Sequence, residues 1–397
     1  MTAPLRVLSL YEGFFAGGAR VLHTDVVAGL HAGGQSHRVL SIASRARREA
    51  TVQRMGDDPR CRRLVDAGVE VRSLGRTAGD QPLAPETFGP RHLRRAATMI
   101  AQADVVVSLK EQPLGLLLAL RDRGMMPDVP VAVCLHRSDP AHAGAAREWL
   151  AEAAWSGLVS TAISCADSTR DAYRDVVGEG IDARVVPNGI DTERFRPGTA
   201  RERAAIRRSL GIPADAPVVL FAARFDAMKN PGLFLRAVAA HARHRHHTRY
   251  LLCGAGMSAD NPALRAAIAE AGVPASARIH LLGIRDDMPA LHRIADIVAL
   301  TSAFGEASPL CLIEGAASGA TPVTTAVGDA ARVVEGFGIV TAHDSVSIAG
   351  AWDAVLAERP AFRRLALAAR PRLSRERMVQ EYRLAIESLA VRVPLAA

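Results

Sequence analysis

Two glutamates, Glu306 and Glu314, are separated by seven residues in the stretch from Thr301 to Gly328. The apolar run Ile297–Leu300 that leads into them reads as a buried parallel strand. A small-residue helix opened by Pro309 and stopped near Gly319 is expected to follow, with the next strand starting at Thr321. Glu306 then lies in the loop and Glu314 on the helix's early turns. Both can face the cleft at the carboxyl end of the strand, where open α/β sheets bind ligands. The free N–H groups of the first turn, around Pro309, Leu310 and Cys311, suit a phosphate. The plain alternative is two solvated acids at a helix start, a position that acids favour anyway.

Other strand ends carry further candidates. Arg224 and Lys229 follow the run Val218–Ala222, and two cations at a strand-to-helix turn can neutralise a diphosphate. Gly254 and Gly256 follow the run ending at Cys253, where small residues allow close backbone packing. Gly17 and Gly18 precede a helix start, so backbone N–H groups there can approach a phosphate. That loop lacks the dinucleotide fingerprint Gly-x-Gly-x-x-Gly, and the chain has no P-loop. His136 stands at the carboxyl end of Val131–Leu135, a better place for a site than for a core. Glu12, Lys110, Glu111 and Asp139 lie on separate loops at neighbouring strand ends. These three carboxylates and one cation suit a small polar acceptor that carries amines; the plain alternative is that the acids are solvated or paired with arginines.

Composition narrows the classes. Of 397 residues, 49% are apolar and 23% charged, as expected for a globular protein of two domains. The net charge is +8, and only two of the 49 basic residues are lysines, Lys110 and Lys229. Arginines crowd Arg45 to Arg63 without interleaved aromatics or a nucleic-acid motif, so a solvated face is expected and no nucleic-acid partner. Five scattered cysteines without a Cys-x-x-Cys suit a reducing cytoplasm and argue against a zinc site. His241, His244, His246 and His247 read as a polar helix end rather than a metal site. Leu5–Leu10 is too short for a signal peptide, and no apolar run is long enough to span a bilayer.

Strand and helix patterns alternate along the chain, as in a mostly parallel, helix-covered sheet. The expected strands are Arg6–Leu10, His37–Ile42, Glu70–Leu74, Asp104–Leu109, Val131–Leu135, Ser160–Ser164 and Arg184–Val186. After a pause over Pro187–Gly198 come Val218–Ala222, Tyr250–Cys253, Arg278–Leu282, Ile297–Leu300, Thr321–Thr325 and Gly338–Val340. Two Rossmann-like domains follow from this, residues 1–190 and 191–374.

The run Glu306, Pro309, Leu312, Glu314, Ala317, Gly319, Pro322 and Val323 resembles the motif of the retaining glycosyltransferases of family 4. Ala307, Ser308 and Gly315 depart from it. Arg224…Lys229 resembles the family's Gly-Arg-x-x-x-x-Lys-Gly, with Ala223 and Asn230 in place of the glycines. Pro187-Asn188-Gly189-Ile190-Asp191…Phe195-Arg196-Pro197 resembles its interdomain signature, which serves as a turn and linker. After Val327-Gly328 the family's Gly and Glu are replaced by Asp329 and Arg332.

The resemblance implies the GT-B fold, an α/β arrangement of two doubly wound parallel-sheet domains facing across a cleft, with a last helix (375–397) returning to the first domain. It implies a retaining, metal-independent hexosyltransferase without a cofactor, using a UDP-sugar such as UDP-glucose or UDP-GlcNAc as co-substrate. In its terms Arg224 and Lys229 hold the diphosphate, Glu314 binds ribose, Glu306 faces the donor sugar and His136 sits near the transferred sugar. Gly17, Gly18, Gly254, Pro309, Leu310 and Cys311 line the donor. Glu12, Lys110, Glu111 and Asp139 meet the acceptor, an aminocyclitol or amino sugar of antibiotic biosynthesis. The alternatives are a nucleotide-sugar 2-epimerase, a glycolipid or phosphoinositol glycosyltransferase, and a non-catalytic basic membrane- or nucleic-acid-binding protein.

Overall fold

The computed structural model describes residues 3–15, 17–48, 51–79 and 82–391. They divide into two compact units, one of residues 1–188 and 375–397 and one of residues 189–374.

Eight strands form the sheet of the first unit: β1 (Arg6–Tyr11), β2 (Ser36–Arg48), β3 (Thr51–Arg54), β4 (Glu70–Ala78), β5 (Val105–Leu109), β6 (Val131–Leu135), β7 (Thr161–Ser164) and β8 (Asp182–Val185). The order is β3-β2-β1-β5-β6-β7-β8, with β4 also paired to β2. All pairs are parallel except β2–β3. β5 and β6, Val-Val-Val-Ser-Leu and Val-Ala-Val-Cys-Leu, are buried along their whole length, as central strands covered by helices on both faces must be. The pairing of β2 with β3 is a departure from the expected strand end at Ile42, not from the expected solvated arginine face. β2 runs on to Arg48 and turns back, with Arg45, Arg47 and Arg54 still facing water.

The second unit orders β9 (Val218–Ala222), β10 (Arg249–Cys253), β11 (Arg278–Gly283), β12 (Ile297–Leu300), β13 (Thr321–Thr325) and β14 (Ile339–Thr341) as β11-β10-β9-β12-β13-β14, all parallel. Alternation along the strands feeds two cores. Val218, Leu220, Val298 and Leu300 join one, and Val219, Phe221, Ile297 and Ala299 the other. In each unit the chain reverses direction across the sheet at its first strand, between β1 and β5 and between β9 and β12. This topological switch point opens a crevice at the carboxyl ends of the strands.

The last helix, Arg375–Val391, packs on the helix Gly18–Ala32 of the first unit, burying Met378, Tyr382, Ile386 and Leu389. A Cβ at Gly29 would lie 2.9 Å from Val379, so glycine lets these helices approach. The Pro187-Asn188-Gly189 turn uses no left-handed backbone. Arg377 instead fastens it, donating to the carbonyls of Pro187 and Asn188 at 2.8 Å each.

Candidate active site

In the second unit, four strand ends converge on one pocket of about 350 Å³, which includes Ala223, Arg224, Gly254, Leu310, Cys311 and Glu314. The loop after β9 brings Arg224, whose guanidinium is mostly exposed and pairs with Asp226 at 3.0 Å. Asp226 also accepts the Lys229 amide at 2.9 Å, which tightens the turn. Asn230 sits at φ +47 and caps the helix Pro231–Ala242 by accepting from the Leu233 amide. Asparagine tolerates this left-handed backbone, so it can replace the family's glycine.

The two glycines after β10 exist for that same loop. A Cβ on Gly254, at φ +137, would lie 2.1 Å from the Ala223 carbonyl oxygen, and one on Gly256, at φ +78, 2.8 Å from Phe225. The loops are joined by hydrogen bonds from Ala223 N to Cys253 O (3.0 Å) and from Phe225 N to Ala255 O (2.8 Å).

Glu314 lies one turn into the helix Leu310–Ser318, partly exposed, with its carboxylate 3.4 Å from Nε2 of the fully buried His292. Pro309 is the N-cap and has no side chain that can cap the helix. The Cys311 thiol is pushed up to about 12 by burial and is chemically quiet. Gly315, which departs from the family motif, lets the helix approach its strand: a Cβ there would meet Val298 at 2.5 Å.

Glu306 and Lys229 form a pair of their own. Their side chains are 5% and 17% exposed and in direct hydrogen-bond contact. Ser302 Oγ donates to the same Glu306 oxygen at 2.5 Å. Behind them stands Gly328 at φ +55, where a Cβ would overlap the Glu306 carbonyl at 1.6 Å. Gly328 therefore fixes the backbone of Glu306, although the residues after it depart from the family. Ile284, Arg285 and Met288, just past β11, also line the pocket. Sequence reasoning missed them; the signal was Gly283 ending a strand.

In the first unit, Gly17 is the N-cap of the helix Gly18–Ala32, without a side-chain bond. Ala16, between these glycines and β1, lies outside the described residues. Glu12 is held by Arg20 at 2.8 Å, and Arg20 also donates to Gly13 O and stacks 3.5 Å over Phe15. Glu12 lines a pocket of about 410 Å³ together with Arg76, Gln112 and Trp149.

Glu111 needs correction as a direct acceptor contact. It is fully buried, accepts from the Tyr173 hydroxyl, and lies 4.0 Å from Arg137 Nε. Asp139 accepts the Ala141 amide at 2.9 Å and faces His142 at 3.2 Å. The expected acidic pocket is therefore three acids with partners already in place. His136 is neutral, its pKa pushed down to about 3 by burial and by Lys110, and its Nε2 is buried without a hydrogen bond.

Among the described residues no three His, Cys, Asp or Glu side chains group to hold a metal ion, and no helix is long and apolar enough to cross a membrane. His241 and His244 instead face Asp353, at 3.6 and 2.9 Å.

Two family models match the chain, "Glycosyl transferase 4-like domain" over residues 17–189 and "Glycosyl transferases group 1" over residues 202–372. The chain belongs to the family 4 glycosyltransferases. Its fold is GT-B, as in an Anabaena HepE structure with UDP, which matches with TM-score 0.77 at 19% identity over 97% of this chain and 100% of that one. The sucrose-phosphate synthase structure from Thermosynechococcus elongatus matches with TM-score 0.74 at 17% identity over 98% and 100%. A D-inositol 3-phosphate glycosyltransferase of Corynebacterium jeikeium is 33% identical over 43% of this chain and 42% of its own. One from Xylanimonas cellulosilytica is 32% identical over 54% and 53%. The chain thus spans about half the length of these curated relatives.

Proposed function

We propose that the chain transfers a hexose from a nucleotide-diphosphate donor, UDP-glucose or UDP-GlcNAc, to a small polar acceptor, with retention and without a metal. The observation that carries this is the convergence of Arg224, a helix start with a proline at its N-cap and Glu314 on one pocket at the β9–β12 switch point. Arg224 and the helix N–H groups offer donors to a diphosphate, and Glu314 offers a carboxylate to ribose hydroxyls. Exposed Ile284 with Met288 gives an apolar wall for a base. The HepE structures with UDP and with UDP-glucose support this choice of donor.

Lys229 keeps two N–H donors beyond its bond to Glu306. Those two stabilise the negative charge that develops on the departing diphosphate, the main catalytic term. Glu306, fixed by Lys229 and Ser302, faces hydroxyls of the donor sugar. The anomeric C–O bond to phosphate breaks, and the bond to the acceptor oxygen forms on the same face. The acceptor's proton passes to the leaving phosphate oxygen. Arg224, Lys229 and the helix start supply the neutralisation that a metal provides elsewhere, and no cofactor takes part. His136, neutral at the end of β6, lies near the transferred sugar as an uncharged hydrogen-bonding group.

Of the acids expected to meet an amine-bearing acceptor, Glu12 lines an open pocket and Glu111 is fully buried. The relatives named D-inositol 3-phosphate glycosyltransferase favour a second reading of the acceptor, a cyclitol phosphate. Mass spectrometry of products from a donor panel with mixed acceptors, with and without EDTA, tests the proposal. Transfer that persists in EDTA is expected. Interconversion of the nucleotide sugar with no acceptor present would identify a 2-epimerase instead.

A further inference from the structure

This chain writes nearly all its basic residues as arginine and keeps two lysines, Lys110 and Lys229. Both stand just past a strand that borders the switch point of its unit, Lys110 after β5 and Lys229 after β9. Lys229 is paired with Glu306. Lys110 is half-buried, and among the described residues its ammonium has no ion pair or hydrogen bond.

Its backbone is held at φ +70, a conformation that costs any residue with a Cβ. The Lys110 amide donates to Cys134 O at 3.0 Å and its carbonyl accepts from Ser108 Oγ at 2.9 Å, so the turn is fixed at both peptide groups. Burial, with Arg137 and Arg20 nearby, pushes the ammonium down to about 8. The fold therefore bears both a backbone strain and a desolvated cation at one position, with Glu111 and Glu12 in its field but neither paired with it among the described residues.

Neighbouring polar atoms also lack hydrogen bonds, although Arg137 and Glu111 pair at 4.0 Å. Arg137 Nε, His136 Nε2, Gln112 Oε1 and Glu111 Oε2 are buried without hydrogen bonds, and all lie on the loops after β5 and β6, which are adjacent strands. Buried polar groups without partners are uncommon and each costs stability, so several together mark a place built for another molecule. The charges specify its sign. Glu12 is balanced by Arg20, Glu111 is bonded to Tyr173 and beside Arg137, and Asp139 is bonded to the Ala141 amide and faces His142. The unbalanced charge is the cation of Lys110, and an incoming ammonium would meet it.

Resting on the glycosyltransferase reading above, we infer that Lys110, assisted by Arg137, reads an anionic group on the acceptor, which is a polyol or sugar carrying a phosphoryl group rather than an amine. The compact ammonium suits a phosphate as a point charge.

The test compares four acceptors with UDP-glucose or UDP-GlcNAc: a cyclitol monophosphate, the parent cyclitol, an aminocyclitol, and phosphatidylinositol vesicles. Free ester and lipid head group are told apart by the first and last arms. Transfer to a phosphate-bearing acceptor is expected, with KM raised about 10- to 100-fold in Lys110→Ala and kcat changed far less. Lys110→Gly guards against misfolding, because glycine relaxes the φ +70 backbone while removing the ammonium. It should show the same KM defect. UDP affinity, measured by calorimetry, should be unchanged in both. No UDP binding by the parent protein would overturn the glycosyltransferase reading itself. UDP binding with transfer confined to the amine or the neutral cyclitol, or a KM indifferent to both substitutions, would overturn this inference alone.

Discussion

Removing Lys229 perturbs two things that can be measured separately. The Lys229–Glu306 pair is mostly buried, with side chains 17% and 5% exposed. In Lys229→Ala, Glu306 keeps only the Ser302 hydroxyl and becomes a buried carboxylate without a counter-ion. Breaking such a pair costs about 3–5 kcal/mol, and the residual exposure of Lys229 puts this case near the lower end, about 3 kcal/mol. Glu306→Gln keeps a group for Ser302 and leaves an ammonium that can still reach water, so it should cost only about 1–2 kcal/mol. The double variant removes both charges. Its loss should fall short of the sum of the singles by about 2 kcal/mol, a coupling that urea denaturation of all four proteins resolves. UDP affinity should behave differently. Loss of a charge-assisted contact to the diphosphate costs about 1.5–3 kcal/mol, roughly 10- to 150-fold in Kd, and Glu306→Gln cannot restore it. Stability thus partly recovers in the double variant while UDP affinity does not. Recovery of UDP affinity there would mean that Lys229 acts only by balancing Glu306, and the diphosphate assignment would be wrong.

Three further outcomes are expected. Gly254→Ala should lower both stability and UDP affinity, because its methyl group would lie 2.1 Å from the Ala223 carbonyl at φ +137 and push away the loop that carries Arg224; a loss of more than about 2 kcal/mol in denaturant titration is anticipated. Glu314→Ala should weaken UDP itself, whereas Glu306→Gln should leave UDP affinity within about twofold and reduce turnover of the sugar-bearing donor; equal loss of UDP in both would show that the two carboxylates do not divide their roles. Acceptor KM should rise as pH passes about 8, because Lys110, in the field of Arg137, Arg20, Glu12 and Glu111 and beside His136, gives up its proton there instead of near 10.5. The sign for stability is opposite: the fold holds this proton less tightly than the unfolded chain does, so the cost of the buried ammonium is relieved as pH rises from about 8. An acceptor KM that is flat from pH 7 to 9 would exclude an ionised Lys110 from binding.

Much of this was legible because buried parallel strands are short apolar runs with turn residues at both ends. β6, β9, β12 and β13 coincide with their expected spans for that reason. The hairpin of β2 and β3 was not legible: Ser-Arg-Ala-Arg-Arg has the look of a solvated charged stretch, and it is pairing with β4 and β3, beyond the end of the β1 register at Ser41, that carries β2 so far. On the donor side, residue type and spacing pointed to Arg224, Lys229, Glu306 and Glu314. They could not show that Gly254 and Gly328 are what hold these residues, because steric exclusion between distant loops leaves no local pattern. On the acceptor side, the acids were visible but their partners were not. Arg20, Tyr173 and Ala141 reach Glu12, Glu111 and Asp139 through folding, and an anionic acceptor is inferred from those contacts.

The two lysines show how the same topological position can be tuned for different work. At the β9–β12 switch point the ammonium is built in with a carboxylate, a hydroxyl and a glycine behind them, so its direction is set before any phosphate arrives. Such preorganisation suits a group that must stabilise charge as it develops, since no rearrangement is then needed during the reaction. At the β1–β5 switch point the backbone is fixed but the ammonium is left unbalanced. A charge of that kind does little for a reaction at a distance and much for selection, because it favours partners of opposite sign and repels those of its own. Under the proposed function and the inference drawn from it, the structural difference between a paired and an unpaired lysine is a division between catalysis on the donor side and discrimination on the acceptor side.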